Sequence, residues 1–263
     1  MADAEIVALR AKLASRPRSD DYRQRRRDID ARGLQYGLGP DVKVEPVTAN
    51  GVRAEWTSTP RDNSDAALLY LHGGGYVIGS LDSHRHLVAE AGRAAGCWAL
   101  ALDYRLAPEN PFPAAVEDAV AGYRYLLARG LKSGRIAIAG EQRRRRARRC
   151  GDAGDPRRRI TATGLRLMHL ALGGYGGDWR DDGQQSDSRS DGAEGRYPRD
   201  GAPLLNAADP HSPLAAPIFA DLTGLASFLI QVGGAETLLD DAIRLARVAG
   251  AADVRVDLQI WPE

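Results

Sequence analysis

Short runs of consecutive apolar residues, each closed by glycine, histidine or an acid, alternate with segments of helical period along the first half of this chain. Residues 66–72, 98–103 and 135–140 are such runs, and the residues between them, 87–95 and 113–129, carry apolar positions at helical spacing. A strand that is apolar on both faces belongs inside a parallel sheet covered by helices. The alternation therefore predicts an α/β fold with a mostly parallel central sheet. Residues 226–232 and 254–261 read as two further strands, with a helix over 236–249 between them. Residues 43–58 alternate in type and contain a strand at 52–56. Residues 1–35 are polar and helix-compatible, and predict one or two amphipathic helices packed as a cap.

Charge and composition narrow the function classes. The formal net charge is +1, so no global field steers the chain toward nucleic acid or an anionic membrane. No apolar run approaches the roughly 20 residues of a membrane helix, and the start of the chain lacks a basic region followed by an apolar stretch. Cys97 and Cys150 do not make a disulfide framework. These features predict a cytoplasmic protein. No metal-ligand spacing is visible, and neither a cofactor nor a metal is expected.

His72-Gly73-Gly74-Gly75-Tyr76 follows the first buried run directly. Successive glycines let backbone N–H groups face one cavity without interference from Cβ, and such donors can hold an oxyanion during acyl transfer. After the next run comes Asp103-Tyr104-Arg105-Leu106-Ala107-Pro108-Glu109, then Pro111-Phe112-Pro113-Ala114-Ala115. With both stretches in place, the chain resembles the hormone-sensitive-lipase-like bacterial esterases of the α/β-hydrolase fold, over residues 1–142 and about 209–263. The resemblance implies a helical cap over 1–40 and a hydrolase domain over 41–263. It implies oxyanion donors at Gly73, Gly74 and Gly75, with His72 as part of the same motif. Asp103 and Arg105 are expected to be ion-paired scaffold residues rather than catalytic ones.

The family continues with a nucleophile elbow, Gly-Asp-Ser-Ala-Gly-Gly, at the end of the third run. Gly140 arrives in place, but Glu141-Gln142-Arg143-Arg144-Arg145 follows. Gln142 stands where the nucleophilic serine is expected and cannot form an acyl ester, while Arg144 and Arg145 stand where the elbow needs small residues. Residues 143–159 hold nine arginines in 17 positions, against only three lysines, Lys12, Lys43 and Lys132, in the whole chain. A nucleic-acid patch, a solvated segment and an off-frame reading are the three accounts of this cluster. It has no aromatic residue for base stacking, which argues against the first. One set of permitted codons for residues 141–151, with the third base of codon 141 removed, reads Asp-Ser-Ala-Gly-Gly-Gly-Leu-Ala-Ala-Val. The same offset applied to residues 170–180 can read Ser-Pro-Trp-Val-Asp, a segment the family also carries. Residues 141 to about 200 are therefore expected to be off-frame and poorly packed.

The remaining triad members follow from the resemblance. Matching the acid-bearing loop on Leu238 and the second acid puts the triad acid at Glu236, with Asp240 as the alternative; Glu236 also suits a helix-capping role. The base is expected shortly after Trp261-Pro262-Glu263, so the His-bearing segment is missing from the sequence, and none of His72, His84, His86, His169 and His211 is placed to serve. Two function classes follow. The first is a carboxylic-ester hydrolase acting on short-chain acyl esters or lactones. The second, if Gln142 is literal, is a hydrolase-fold protein that binds ligands without catalysis. The partner is a small ester or lactone; no nucleic acid and no membrane span is expected, and the last strand leaves a homodimer open.

Overall fold

The computed structural model describes residues 19–141, 166–169, 202–205, 208–209, 211–234 and 238–261, with isolated helical positions at 8 and 11. The apolar-spaced residues 4–10, the arginine cluster 143–159, Gln142 and Glu236 lie outside the described residues.

One eight-stranded sheet organises the chain, in the order β1-β2-β4-β3-β5-β6-β7-β8. Strands β1 (Lys43–Ala49) and β2 (Val52–Ser58) form a hairpin closed by Asn50 and Gly51, at φ 50° and 91°. Two positive φ values match the right-handed twist of the flanking strands. Strand β2 is antiparallel to β4 (Cys97–Leu102); from there β3 (Asn63–Leu71), β5 (Ile136–Gly140), β6 (Arg166–His169), β7 (Phe228–Gly233) and β8 (Val256–Trp261) run parallel.

The apolar runs are continuous because both faces of the sheet are covered. Leu69, Leu100, Leu102 and Ile136 pack with Leu126 of the helix α3 (Ala114–Ala128). Leu68, Tyr70, Ala99 and Ala101 face the opposite way, against Val88 of α2 (Leu81–Ala95). Gly122 lets α3 approach closely, since a Cβ there would overlap the Leu102 side chain. A separate cluster around Ile230, Val232 and Leu245 seats α5 (Leu239–Ala251) on β7 and β8; a short helix, α4 (Ala202–Leu205), lies between.

Three expectations are corrected. Helix α2 begins at Leu81, six residues before the apolar period suggests, because Ser80 and Ser83 form a reciprocal capping box. Helix α1 (Tyr22–Gly33) buries only Tyr22, which packs with Val77, Ala107 and Leu204, so it attaches by one aromatic side chain and polar contacts and not by an apolar stripe. Within the stretch expected to be off-frame, the backbone of Arg166–His169 is a strand paired with both β5 and β7. A parallel slot is filled through backbone N–H and C=O groups, so any extended tetrapeptide can satisfy it.

Candidate active site

The chain leaves β3 to form β4 on one side and returns to form β5 on the other. Ligands of open α/β sheets bind outside the carboxyl ends of the strands at such a reversal. Three sequence features meet there: His72–Gly75 after β3, Asp103–Arg105 after β4, and Glu141 after β5. Leu71 and Gly140 are register partners. A Cβ on Gly140 would crowd the Leu71 carbonyl, which explains the glycine closing β5.

The glycine loop has a demanding backbone. Gly74, Gly75 and Tyr76 have φ of 126°, 67° and 60°. For Tyr76, a non-glycine residue, the left-handed region costs about 1–2 kcal/mol, so surrounding contacts must hold the turn. The N–H groups of Val77 and Ile78 both donate to the Gly74 carbonyl, at 3.3 and 3.1 Å. Tyr104 donates its hydroxyl to the His72 carbonyl at 2.5 Å, and the Ala107 N–H donates to the Tyr76 carbonyl at 2.8 Å. Among the described residues, neither the Gly73 nor the Gly74 N–H donates a hydrogen bond. Those two amides are the donors an oxyanion would need.

His72 is buried and lies flat against Tyr104, ring centroids 4.2 Å apart. Its Nδ1–H donates to the Gly73 carbonyl at 2.9 Å, while Nε2 has no partner among the described residues. Burial pushes its pKa down to about 4, so the ring is neutral and acts as a loop brace. Burial also pushes the Tyr104 phenol well up, which keeps it a donor.

Sequence reasoning missed one contact beside the nucleophile position. Glu141 Oε1 lies 3.1 Å from His84 Nε2, and Ser83 Oγ lies 2.7 Å from His84 Nδ1. The Glu141 carboxylate also rests against Gly73, where a Cβ would overlap it. The residues involved are 57 positions apart, so no local pattern could reveal the pair.

Asp103 and Arg105 are ion-paired, as expected. Asp103 meets Arg53 at 2.9 Å, although burial raises its pKa. Arg105 grips the buried Asp118 through Nε and Nη2 and also reaches Glu117. Asp240 sits in the first turn of α5, exposed, 4.0 Å from Arg244. A narrow cleft of about 380 Å³, including its open mouth, runs from Tyr76 past Asn110, Phe112 and Val116 to Leu204 and Leu214. Among the described residues no group of three or more His, Cys, Asp or Glu could hold a metal ion, and no helix is long and apolar enough to cross a membrane.

The comparisons with known proteins agree with this fold. The family model of the alpha/beta hydrolase fold matches residues 68–142 and 200–263. The chain is 38% identical over 266 residues to an acetyl-hydrolase of Streptomyces hygroscopicus, covering 99% of this chain and 87% of that one. It is 29% identical over 240 residues to an esterase of Acinetobacter venetianus, covering 86% and 75%. A crystal structure of an esterase from the bacterial hormone-sensitive lipase family superimposes with a TM-score of 0.74 at 33% identity, covering 100% of this chain and 89% of that one. The chain belongs to the α/β-hydrolase-fold family, among the hormone-sensitive-lipase-like bacterial esterases.

Proposed function

We propose that the intact parent of this chain is a carboxylic-ester hydrolase for small acyl esters or lactones, working by acyl transfer through a serine at the position that Gln142 holds here. The observation that carries the proposal is the pair of Gly73 and Gly74 amides, which donate no hydrogen bond among the described residues and lie beside Glu141, the residue before that position. A serine there attacks the ester carbonyl, and a histidine takes its proton. The carbonyl oxygen becomes an oxyanion held by the two amides, with Gly75 next to them. The histidine then protonates the departing alcohol, and water repeats the sequence to release the acid. Glu236 orients the histidine, with Asp240 as the alternative. The cleft beginning at Tyr76 is apolar and narrow, which suits a small uncharged acyl or alcohol group.

The sequence as it stands has Gln142, so hydrolysis of p-nitrophenyl acetate by this chain should sit near background. The test is a restored chain: Asp-Ser-Ala-Gly-Gly at 141–145, the corresponding frame through about residue 200, and a His-bearing segment after Glu263. It should gain an activity that serine-directed organophosphates abolish. Turnover at esterase rates by the unrestored chain would show that the nucleophile lies elsewhere. That the family match stops at residue 142 and resumes at 200 supports the off-frame account.

Gln142 itself favours a second reading, a ligand-binding protein on the same fold. Sequencing the gene through codons 135–215 and past 263 separates the two. An uninterrupted frame encoding Gln142 would leave the binding protein standing.

A further inference from the structure

Helix α1 carries Tyr22, Arg26, Asp30 and Gly33 at spacings of four, four and three residues, which puts them on one face. That face runs along residues 77–83, the continuation of the glycine loop into α2. Arg26 uses its whole guanidinium. Nε donates to the Val77 carbonyl at 2.7 Å and Nη2 to the Ala107 carbonyl at 2.8 Å. Nη1 and Nη2 together hold the Glu109 carboxylate at 2.9 and 2.8 Å. The guanidinium also lies 4.9 Å from the Tyr22 ring centroid, and Tyr22 Oη donates to Glu109. One turn later, Asp30 accepts from Ser80 Oγ at 2.6 Å. At Gly33 the helix comes so close to Asp82 and Ser83 that a Cβ would overlap their backbone.

These contacts bracket the part of the site with the least comfortable backbone. Tyr76, at φ 60°, lies between Gly75 and Val77, and the Val77 carbonyl is one of the two that Arg26 holds. The other, Ala107, donates its own N–H to the Tyr76 carbonyl. Arg26 therefore fixes both strands of chain that pinch the left-handed turn. A lysine could supply the charge but not the planar fork that reaches two carbonyls and a carboxylate together.

We propose that Arg26 is a positioning residue for catalysis: through Val77 and Ala107 it holds the turn that aims the Gly73 and Gly74 amides at the oxyanion. This rests on the esterase reading above. Arg26 acts through the loop, since its guanidinium is engaged by Val77, Ala107 and Glu109. The N-terminal helix thereby becomes part of the oxyanion apparatus and not merely a cover over it.

The test has two arms and one control. Arg93 makes a similar bidentate clamp, to Asp41 at 2.7 and 2.9 Å, without touching residues 72–80, so Arg93→Gln reports the loss of a clamp as such. In the chain as it stands, Arg26→Gln should speed hydrogen exchange at the Val77 and Ile78 amides by at least about tenfold, the change expected for losing one charge-assisted hydrogen bond. Arg93→Gln should leave those amides unchanged. In the restored chain, Arg26→Gln should lower kcat by at least about tenfold with KM within about twofold, because displaced oxyanion donors act on the transition state; Arg26→Lys should fall between. If Arg26→Gln fails to fold, Arg26→Lys is read the same way in both arms. Unchanged exchange at Val77 and Ile78 overturns the proposal, and so does faster exchange with unchanged kcat. An inactive restored parent counts against the esterase reading, and the exchange arm alone then decides whether Arg26 holds the loop.

Discussion

The segment 72–80 and the segment that begins at Glu141 follow neighbouring strands, yet they are specified in opposite ways. The glycine loop is held from outside. Tyr104 holds the His72 carbonyl, Ala107 the Tyr76 carbonyl, Arg26 the Val77 carbonyl and Asp30 the Ser80 hydroxyl. Each pin comes from a residue more than 25 positions away, so the loop is set by the fold as a whole. A nucleophile elbow depends instead on small residues within its own few positions, and here those positions carry Arg144 and Arg145. On the proposed reading, a change confined to residues 142–145 can thus remove a nucleophile while the glycine loop stays intact. The converse also holds: the loop can be damaged from α1 or from the segment after β4 without touching the elbow.

The sharpest way to break this comparison is through the acid, whose place rests on local sequence alone. In the restored chain, Glu236→Gln should cut kcat by roughly 10⁴-fold if it orients the histidine, by analogy with other serine hydrolase triads. Asp240→Asn should change kcat little, because Asp240 is an exposed first-turn residue beside Arg244. Steady-state rates on p-nitrophenyl acetate decide it. A reversal of the two effects would make Asp240 the acid and shift the register of that loop.

Where the sequence was legible, the reason is periodicity or a glycine that geometry requires. The runs at 66–72, 98–103 and 135–140 became β3, β4 and β5 within three residues at each end, because two-sided burial demands continuous apolar residues. The glycine loop could be recognised because only glycine suits Gly74, whose φ is 126° and where a Cβ would overlap the Ile78 carbonyl. Arg26, Asp30 and the His84–Glu141 pair could not be found this way. Their partners lie 50 or more residues away, and a single charged residue on a polar helix looks like any solvated one. Ser80 did leave a local signal, its spacing to Ser83, which the apolar period alone overlooked.

A substitution at Gly74 strikes the loop directly. Gly74→Ala places a methyl group into the Ile78 carbonyl and strains a left-handed residue, so a stability loss of about 2–4 kcal/mol is expected from backbone strain and overlap together. Urea denaturation of the chain as it stands measures it, with no need for activity. Gly134→Ala, where a Cβ would meet open space, should stay within about 1 kcal/mol. Equal costs at the two positions would mean that the loop is not held in the conformation described.

Acid should loosen the loop side selectively, through His72. Its buried ring resists protonation until about pH 4, against an ordinary value of 6.5. Above pH 6.5 neither folded nor unfolded chain is protonated there, and the residue contributes no pH dependence. Between 6.5 and 4 the unfolded chain takes up a proton that the folded chain refuses, so stability falls as the pH drops, by at most about 3 kcal/mol. Below pH 4 the loss is complete and levels off. Denaturation midpoints at pH 7 and 4.5 measure the effect, and His72→Gln should flatten that part of the profile. An unchanged slope would place the acid sensitivity in other groups.

The smallest effect expected separates the two ion pairs that follow β4. Asp118 is buried and receives the Arg105 backbone N–H at 2.7 Å as well as its guanidinium. Replacing it by Asn leaves those donors poorly matched and should cost about 1–3 kcal/mol. Arg53 is different. Its side chain is 72% exposed and makes a single contact with Asp103, so water screens the pair and long side-chain entropy opposes it. Arg53→Ala should therefore cost less than about 1 kcal/mol, although Asp103, already raised in pKa by burial, loses the cation that opposes that rise. The residual cost should then grow at neutral pH and shrink once Asp103 is protonated, because only the charged carboxylate misses its partner. Denaturation of Arg53→Ala at pH 7 and pH 4 measures both terms. A cost at Arg53 equal to that at Asp118 would mean that the segment after β4 is anchored from the β1–β2 hairpin and not, as the contacts indicate, from α3.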